Sequence, residues 1–259
     1  MESQTASAYL ERIGVPPGVR ADAAGIRLLH RAHQLAVPFE NLSIHLSEPI
    51  SLAEDDLVGK IVRRRRGGFC YELNGLFALL LEALGARVTR VGARVFGQDG
   101  LGPPFDHLAL IVHGSDGSGA WLADVGFGRH SVYPLLLDGR ARQDDPAGVF
   151  ELADADGGDL DVLRDGQPQY RIELRPRALD DFAPTCWYQQ TSPASHFRQD
   201  TICSLLTDDG RVSVSGRALI RTAGGARTEE HLDDDAALLA AYRDLFGIVL
   251  SRVPLVRGD

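Results

Sequence analysis

Cysteine is scarce in this chain. Cys70, Cys186 and Cys203 are the only three thiols in 259 residues, and no two are spaced as a Cys-x-x-Cys pair. Such a set supplies neither an even disulfide framework nor the thiolate pairs of a structural zinc site, and it points to a reducing compartment. Long hydrophobic runs are missing too. The longest, Leu76 to Leu84, is broken by Glu82, and roughly 20 apolar residues are needed to span a bilayer. The opening residues lack a basic segment followed by an apolar stretch, so no secretory signal is expected. Positive charge is in deficit: 27 Lys+Arg stand against 36 Asp+Glu, a net charge of −9. That balance argues against nonspecific binding to nucleic acid or anionic membranes. The expectation is a cytoplasmic protein with no nucleic-acid and no membrane partner.

What is present is an ordinary globular composition, 44% hydrophobic and 24% charged, in a chain long enough for a full core. Up to about residue 85 the pattern is helical. Ile26, Leu29, His33 and Ala36 keep helical spacing until Pro38. Ser51 and Glu54 have capping-box spacing ahead of Leu57, Val58, Ile61 and Val62. A further helix is expected from about Cys70, with an apolar stripe through Leu73, Leu76, Phe77, Leu80, Leu81 and Leu84 and a stop at Gly85. Beyond it the texture changes to short β-branched and apolar runs, Arg87–Phe96, His107–His113, Ala120–Val125, Val149–Leu152, Leu160–Leu163 and Tyr170–Leu174, separated by Gly, Pro, Asp and Ser, the mark of a barrel or compact antiparallel sheet. The acidic stretch from Asp138 to Asp165 reads largely as mobile loop. In the tail, Asp208-Asp209-Gly210 signals a hairpin, and a last helix should begin near Asp233–Asp235. Pro193 is the expected boundary between sheet and tail.

The segment richest in chemistry is Arg66-Gly67-Gly68-Phe69-Cys70-Tyr71-Glu72-Leu73-Asn74-Gly75. Two glycines allow a tight turn and close approach of a ligand. A thiol at the start of a helix faces unpaired N–H groups and the positive end of the dipole, both of which favour thiolate. Cys70 is therefore either a nucleophile or a small buried hydrophobe. A nucleophile needs a base and an orienter. His107 opens the apolar run Leu108 to Val112, and Asp124 closes the run Trp121 to Ala123. If those strands are neighbours, Asp124 would hold one ring nitrogen of His107 while the other faces Cys70. Taken singly, His107 also reads as a satisfied strand-edge histidine, and Asp124 as a turn residue.

The 66–75 segment resembles the active-site signature of the arylamine N-acetyltransferases. Val37-Pro38-Phe39-Glu40-Asn41-Leu42, Asp106-His107-Leu108, Asp124-Val125-Gly126-Phe127-Gly128 and Ser192-Pro193-Ala194-Ser195-His196-Phe197 resemble further motifs of that family, in the family's order. The resemblance implies an α+β fold of three parts: a helical bundle (1–85) carrying the cysteine, a β-barrel (86–191) carrying His and Asp, and an α/β lid (192–259), around a core like that of cysteine proteases. It implies a Cys70–His107–Asp124 triad that moves acetyl from acetyl-CoA to arylamines or arylhydrazines by a ping-pong route through a thioester, with no metal. Phe39, Val95, Phe127 and Phe197 would line the acceptor pocket, and Gly126 and Gly128 would flank the CoA thiol arm. Glu40 and Asn41 would hold structure near the cysteine, and Arg66 and Glu72 would form an ion pair there. The sequence departs from the family at Leu73, where many members carry a polar residue. It departs again at Asp106, where Thr or Ser is frequent and a carboxylate would raise the pKa of the base. Arg63–Arg66 reads as a solvated helix end or a phosphate contact, and His30 and His33 as a surface or packing pair. Three other activities share these residues: an amide synthase closing a macrolactam from a polyketide thioester, a thioester or amide hydrolase, and a non-catalytic CoA-binding protein.

Overall fold

The computed structural model describes residues 1–98 and 100–256. Asp99, in the expected barrel stretch, and 257–259, at the end of the expected lid, lie outside the described residues.

Helices α1 (Ser3–Arg12) and α2 (Ala23–Ala36) begin the chain. Asp22 caps α2, its carboxylate accepting from the Gly25 N–H at 2.9 Å, and the helix stops two residues short of Pro38, which could not continue it. Strand β1 (Phe39–Glu40) and helices α3 (Leu42–Leu46) and α4 (Glu54–Leu57) follow, and α4 runs on as a π-helical stretch over Val58–Arg63. Helix α5 (Cys70–Ala83) ends before Gly85, whose φ of +93° suits a residue without Cβ. Its apolar stripe packs with Tyr9, Ile26, Leu29 and Ile61 into one core, each full Leu or Ile side chain contributing about 1.5–3 kcal/mol. Ser51 does not act as a cap. Its hydroxyl accepts from the Ala53 N–H, and α4 starts only at Glu54, too late for a box with Ser51.

The middle of the chain is a nine-stranded antiparallel sheet curled into a nearly closed barrel. Its strands are β2 (Arg87–Gly97), β3 (Gly100–Leu101), β4 (His107–His113), β5 (Ala120–Ala123), β6 (Leu135–Leu136), β7 (Gln143–Asp145), β8 (Gly148–Asp154), β9 (Leu160–Arg164) and β10 (Gln167–Arg177). They run β6-β5-β4-β2-β10-β9-β8-β7, with β3 on β2. The Gln143 side-chain amide bridges the two ends, accepting from the Leu136 N–H at 2.7 Å and donating to the Leu136 carbonyl at 3.0 Å. The stretch 138–165 is thus not largely loop. Phe150, Leu152, Leu160 and Val162 are buried in the barrel, and the acidic residues between them take the outward positions of alternating strands.

Helices α6 (Ala183–Thr191) and α7 (His196–Gln199) lead to β11 (Ile202–Thr207), β12 (Gly210–Ser215), β13 (Ala218–Ala223), β14 (Ala226–His231) and α8 (Asp235–Phe246). β11 and β12 form the hairpin expected around Asp208-Asp209-Gly210. Asp234 caps α8 through the Ala237 N–H at 2.7 Å, and Leu238, Ala241, Tyr242 and Phe246 bury its inner face. The sheet runs β1-β11-β12-β13-β14, so Phe39–Glu40, within the stretch that reads as helical, forms its edge strand.

Candidate active site

The site starts from a loop that only glycine can make. A Cβ on Gly67 would stand 1.9 Å from the Pro38 carbonyl oxygen, so this stretch lies directly on the 38–40 backbone. The Glu40 N–H donates to the Gly68 carbonyl at 2.8 Å. Glu72 closes the first turn of α5, its carboxylate accepting from the Phe69 N–H at 3.2 Å and from Lys60 Nζ at 2.7 Å. Arg66 is not Glu72's partner, nor is it a solvated end of its arginine run. It is buried, and it donates to Glu40 at 2.9 Å and to Glu48 at 3.1 Å. Burial works against charge on Glu40, yet the fields of Lys60 and Arg66 and the Leu42 N–H hold its carboxyl below the usual range. Two buried ion pairs therefore brace the loop that delivers Cys70.

Cys70 is the first residue of α5 and is 3% exposed. Burial pushes its thiol well up, and the charges of Asp106 and Asp124 add to that; the Leu108 N–H facing the sulfur opposes them. Cys70 thus does not ionise into bulk solvent by itself. Asn74, one turn along α5 and on the same face, ties the helix to the barrel. Its Nδ2 donates to the Leu108 carbonyl at 2.6 Å and to Asp124 Oδ1 at 2.8 Å, and its Oδ1 accepts from the Val125 N–H at 2.9 Å.

His107 and Asp124 stand at the ends of β4 and β5 that face α5. His107 Nε2 donates to Asp124 Oδ2 at 2.8 Å, with both side chains buried. That bond leaves Nδ1 to accept a proton. Burial opposes charge on Asp124, but His107, His130 and the Asn74 amide outweigh it and keep the carboxyl far below its usual range. The Asp124 N–H donates to His30 Nε2 at 3.1 Å, and His30 Nδ1 meets the Val132 carbonyl at 2.9 Å. His30 and His33 are therefore packing residues, both fully buried. Gly126 lies hard against the nucleophile: a Cβ there would be 2.8 Å from Cys70 Cα.

The four expected pocket residues are all half-buried and form two groups. Phe127 stacks edge-on against His107 at 5.2 Å and packs with Val95 on the barrel core. Phe197 meets Phe69 at 5.4 Å and Phe39 at 6.2 Å on the helical side. Gly128 sits between them, since a Cβ there would be 3.1 Å from the Phe39 ring. Leu73 is fully buried in the helical core.

Sequence reading passed over Asn74, His130 and Tyr170, and it gave His30 no tie to Asp124. Tyr170 Oη lies 3.1 Å from His130 Nε2, and its hydroxyl also faces Asp124. Asn74 alone had a local signal, its four-residue spacing from Cys70 on one helix face. Arginines were also missed. Arg31, Arg129, Arg164 and Arg211 line a cleft of about 550 Å³ beside His130; Asp208 and Asp209 line it too, Asp208 paired with Arg31 at 2.7 Å. Burial first, and then the neighbouring Arg129 and Arg164, together lower the Arg211 pKa to about 10. Mutual crowding of cations is the condition that an anionic ligand relieves. Among the described residues, no group of three His, Cys, Asp or Glu is placed to hold a metal, and no helix is long and apolar enough to cross a membrane.

Against known proteins, the N-acetyltransferase family model matches residues 22–255. The arylamine N-acetyltransferase of Mycolicibacterium smegmatis is 35% identical over 250 residues, 93% of this chain and 91% of that protein. A solved M. smegmatis arylamine N-acetyltransferase superposes with a TM-score of 0.88 at 34% identity, over 95% of this chain and 94% of that one. The Mycobacterium marinum arylamine N-acetyltransferase, solved in complex with CoA, superposes with a TM-score of 0.86 at 33% identity, over 93% and 92% of the two chains.

Proposed function

Since the chain belongs to the arylamine N-acetyltransferase family, we propose that it carries acetyl groups from acetyl-CoA to arylamines and arylhydrazines on Cys70, with His107 as base and Asp124 as its orienter. The observation that carries the assignment is the buried 2.8 Å bond from His107 Nε2 to Asp124, held by Asn74 one turn beyond the thiol.

The steps follow from the groups. His107 Nδ1 takes the Cys70 proton, and the imidazolium is steadied by the Asp124 carboxylate, so the buried sulfur gains charge only beside a counter-charge. The thiolate attacks the acetyl carbonyl. The C–S bond to CoA breaks, and CoA leaves with the proton from His107. The exchange of one thioester for another is nearly balanced. In the second half, the arylamine nitrogen attacks the Cys70 thioester, His107 accepts the amine proton, and the amide departs as the thiolate returns. Asp124 keeps its charge throughout.

Phe39, Val95, Phe127 and Phe197 offer flat apolar walls to an aromatic acceptor. Gly126 and Gly128 leave room for the thiol arm of CoA, and the arginine cleft beginning at Arg129, one residue past Gly128, would take its phosphates. In this reading 1–85 brings the nucleophile, 86–191 the base and orienter, and 192–259 the cover of the pocket. The three unpaired cysteines fit a cytoplasmic setting. The reading calls for no metal, nucleic acid or membrane, and it fixes no oligomeric state. Macrolactam closure is less well supported, because the similar proteins above are named arylamine N-acetyltransferases and one is a CoA complex.

The test is CoA release from acetyl-CoA on adding phenylhydrazine. Amine-dependent release with parallel double-reciprocal lines is expected. Release independent of the amine would mean hydrolysis, and no release from folded protein would favour the macrolactam reaction.

A further inference from the structure

The carboxylate of Asp106, next to the base in sequence, is not turned to His107. Its Oδ1 accepts from Gln189 Nε2 on α6 at 3.0 Å. Gln189 Oε1 accepts from the Ser195 hydroxyl at 2.5 Å, and Ser195 Oγ accepts from the Phe197 N–H at 3.2 Å. Gln189 and Ser195 are buried. The Val95 N–H faces the same carboxylate, and Gly102 lies so close that a Cβ there would be 2.4 Å from Oδ2. The other side of Phe197 is fixed as well: its carbonyl accepts from Asn41 Nδ2 at 2.9 Å and lies 2.9 Å from His45 Nε2. Tyr71 Oη, 2.8 and 3.0 Å from the Phe105 and Asp106 carbonyls, pins the segment from below.

The direction of this chain of bonds is set at one end. A carboxylate only accepts, so Gln189 must present its NH₂ to Asp106 and its oxygen to Ser195. The Ser195 proton is then committed to Gln189, which leaves the hydroxyl oxygen to receive the Phe197 N–H. With any other assignment a buried donor would face a donor, or a buried proton would lack an acceptor.

We propose that Asp106 is a positioning residue for the acceptor pocket: by fixing the polarity of the Asp106–Gln189–Ser195 chain, it holds one pocket wall, Phe197, in register with His107. The proposal rests on the acetyl-transfer reading and concerns its second half-reaction. The Asp106 charge opposes the Cys70 thiolate and attracts the imidazolium of His107, so the two effects offset and acyl uptake should change little when it is removed.

Two readouts separate the half-reactions: intact-mass acetylation of the protein by acetyl-CoA, and the KM for phenylhydrazine. Asp106→Asn, of the same shape, sets an NH₂ against a donor. The hydrazine KM should rise roughly tenfold, the scale of one mismatched buried hydrogen bond, while acetyl uptake stays within about twofold. Adding Gln189→Glu to Asp106→Asn restores donor-to-acceptor pairing with the groups exchanged, and should bring KM back to within about twofold of wild type. A residue that merely fills space gives no such rescue. Ser195→Ala breaks the chain at its far end and should raise KM in the same way, even if Asp106→Asn fails to fold. An unchanged KM in Asp106→Asn or Ser195→Ala, or a double variant no better than Asp106→Asn alone, overturns the proposal. A wild-type protein that takes up no acetyl group overturns the acetyl-transfer reading, and this inference with it.

Discussion

Gly126→Ala adds one methyl group at the seam between nucleophile and barrel. The new Cβ would lie 2.7 Å from Asn74 Nδ2, 2.8 Å from Cys70 Cα and 3.0 Å from the Cys70 carbonyl oxygen. Carbon contacts are comfortable at about 3.5–4.0 Å, so the two sides must part by roughly 0.7 Å. Neither side yields readily. Two of the three atoms are backbone in the first turn of α5, and the amide is held by Leu108 and Asp124. Overpacking of this kind costs about 1–3 kcal/mol, and a chain of this size loses about 2–4 °C of Tm per kcal/mol. A shift approaching 1 Å between reacting groups costs about 100-fold in rate. The expected outcome is a melting temperature lower by about 4–8 °C for a 2 kcal/mol cost, with Cys70 acetylation slowed roughly 10- to 100-fold in stopped-flow mass measurements. Gly59→Ala is the control, because its Cβ would meet nothing within 4 Å. Gly126→Ala with the wild-type melting temperature and acetylation rate would refute the contact between Gly126 and the nucleophile.

Further outcomes follow from the same geometry. Arg66→Met leaves the Glu40 carboxylate buried without its main partner and should cost about 3–5 kcal/mol in denaturant titration; a loss under about 1 kcal/mol would show that the pair does not brace the loop. Asn74→Ala strands the Val125 N–H and cuts the tie to Asp124, and should cost about 1–3 kcal/mol while slowing acetylation. Arg211→Ala should raise the KM for acetyl-CoA roughly tenfold, leaving the KM for the hydrazine alone, and an unchanged KM would place the phosphates elsewhere. Stability should also fall between pH 7 and pH 5. Burial lowers the His33 and His130 pKa values from 6.5 to about 3 and about 4, so the unfolded chain binds protons in this window and the folded chain does not. The loss is about 2 kcal/mol per histidine. The depressed carboxyls of Asp124 and Glu40 act only below the unfolded carboxylate range, so a calorimetric Tm that is flat from pH 7 to 5 would contradict the burial of the two rings.

The legible part of the site was local. Two glycines before a helix, a histidine opening a strand and an aspartate closing one can be read along the chain, because each depends on its neighbours. The ion pairs were misread because their partners are set by topology. Arg66 meets Glu40, 26 residues away, since β1 lies on Gly68, and nothing near Arg66 distinguishes that acid from Glu72. The runs Val149–Leu152 and Leu160–Leu163 are legible and lie in β8 and β9, but the acidic residues around them make the stretch 138–165 as a whole read as loop. Tyr170 and His130 came to Asp124 from other strands and loops of the barrel, with no spacing to announce them. Asp106 has a partner that adjacency hides: beside its charge interaction with His107, its carboxylate accepts from Gln189, 83 residues on.

One measurement bears on the central claim most directly: the intact mass of the protein after mixing with acetyl-CoA in the absence of amine. One acetyl group should appear on the wild type and on Cys186→Ala, none on Cys70→Ala, and uptake should collapse in His107→Gln and Asp124→Asn variants that keep their fold. An unmodified wild type, an acetyl group still present on Cys70→Ala, or a fully active Asp124→Asn would contradict the account.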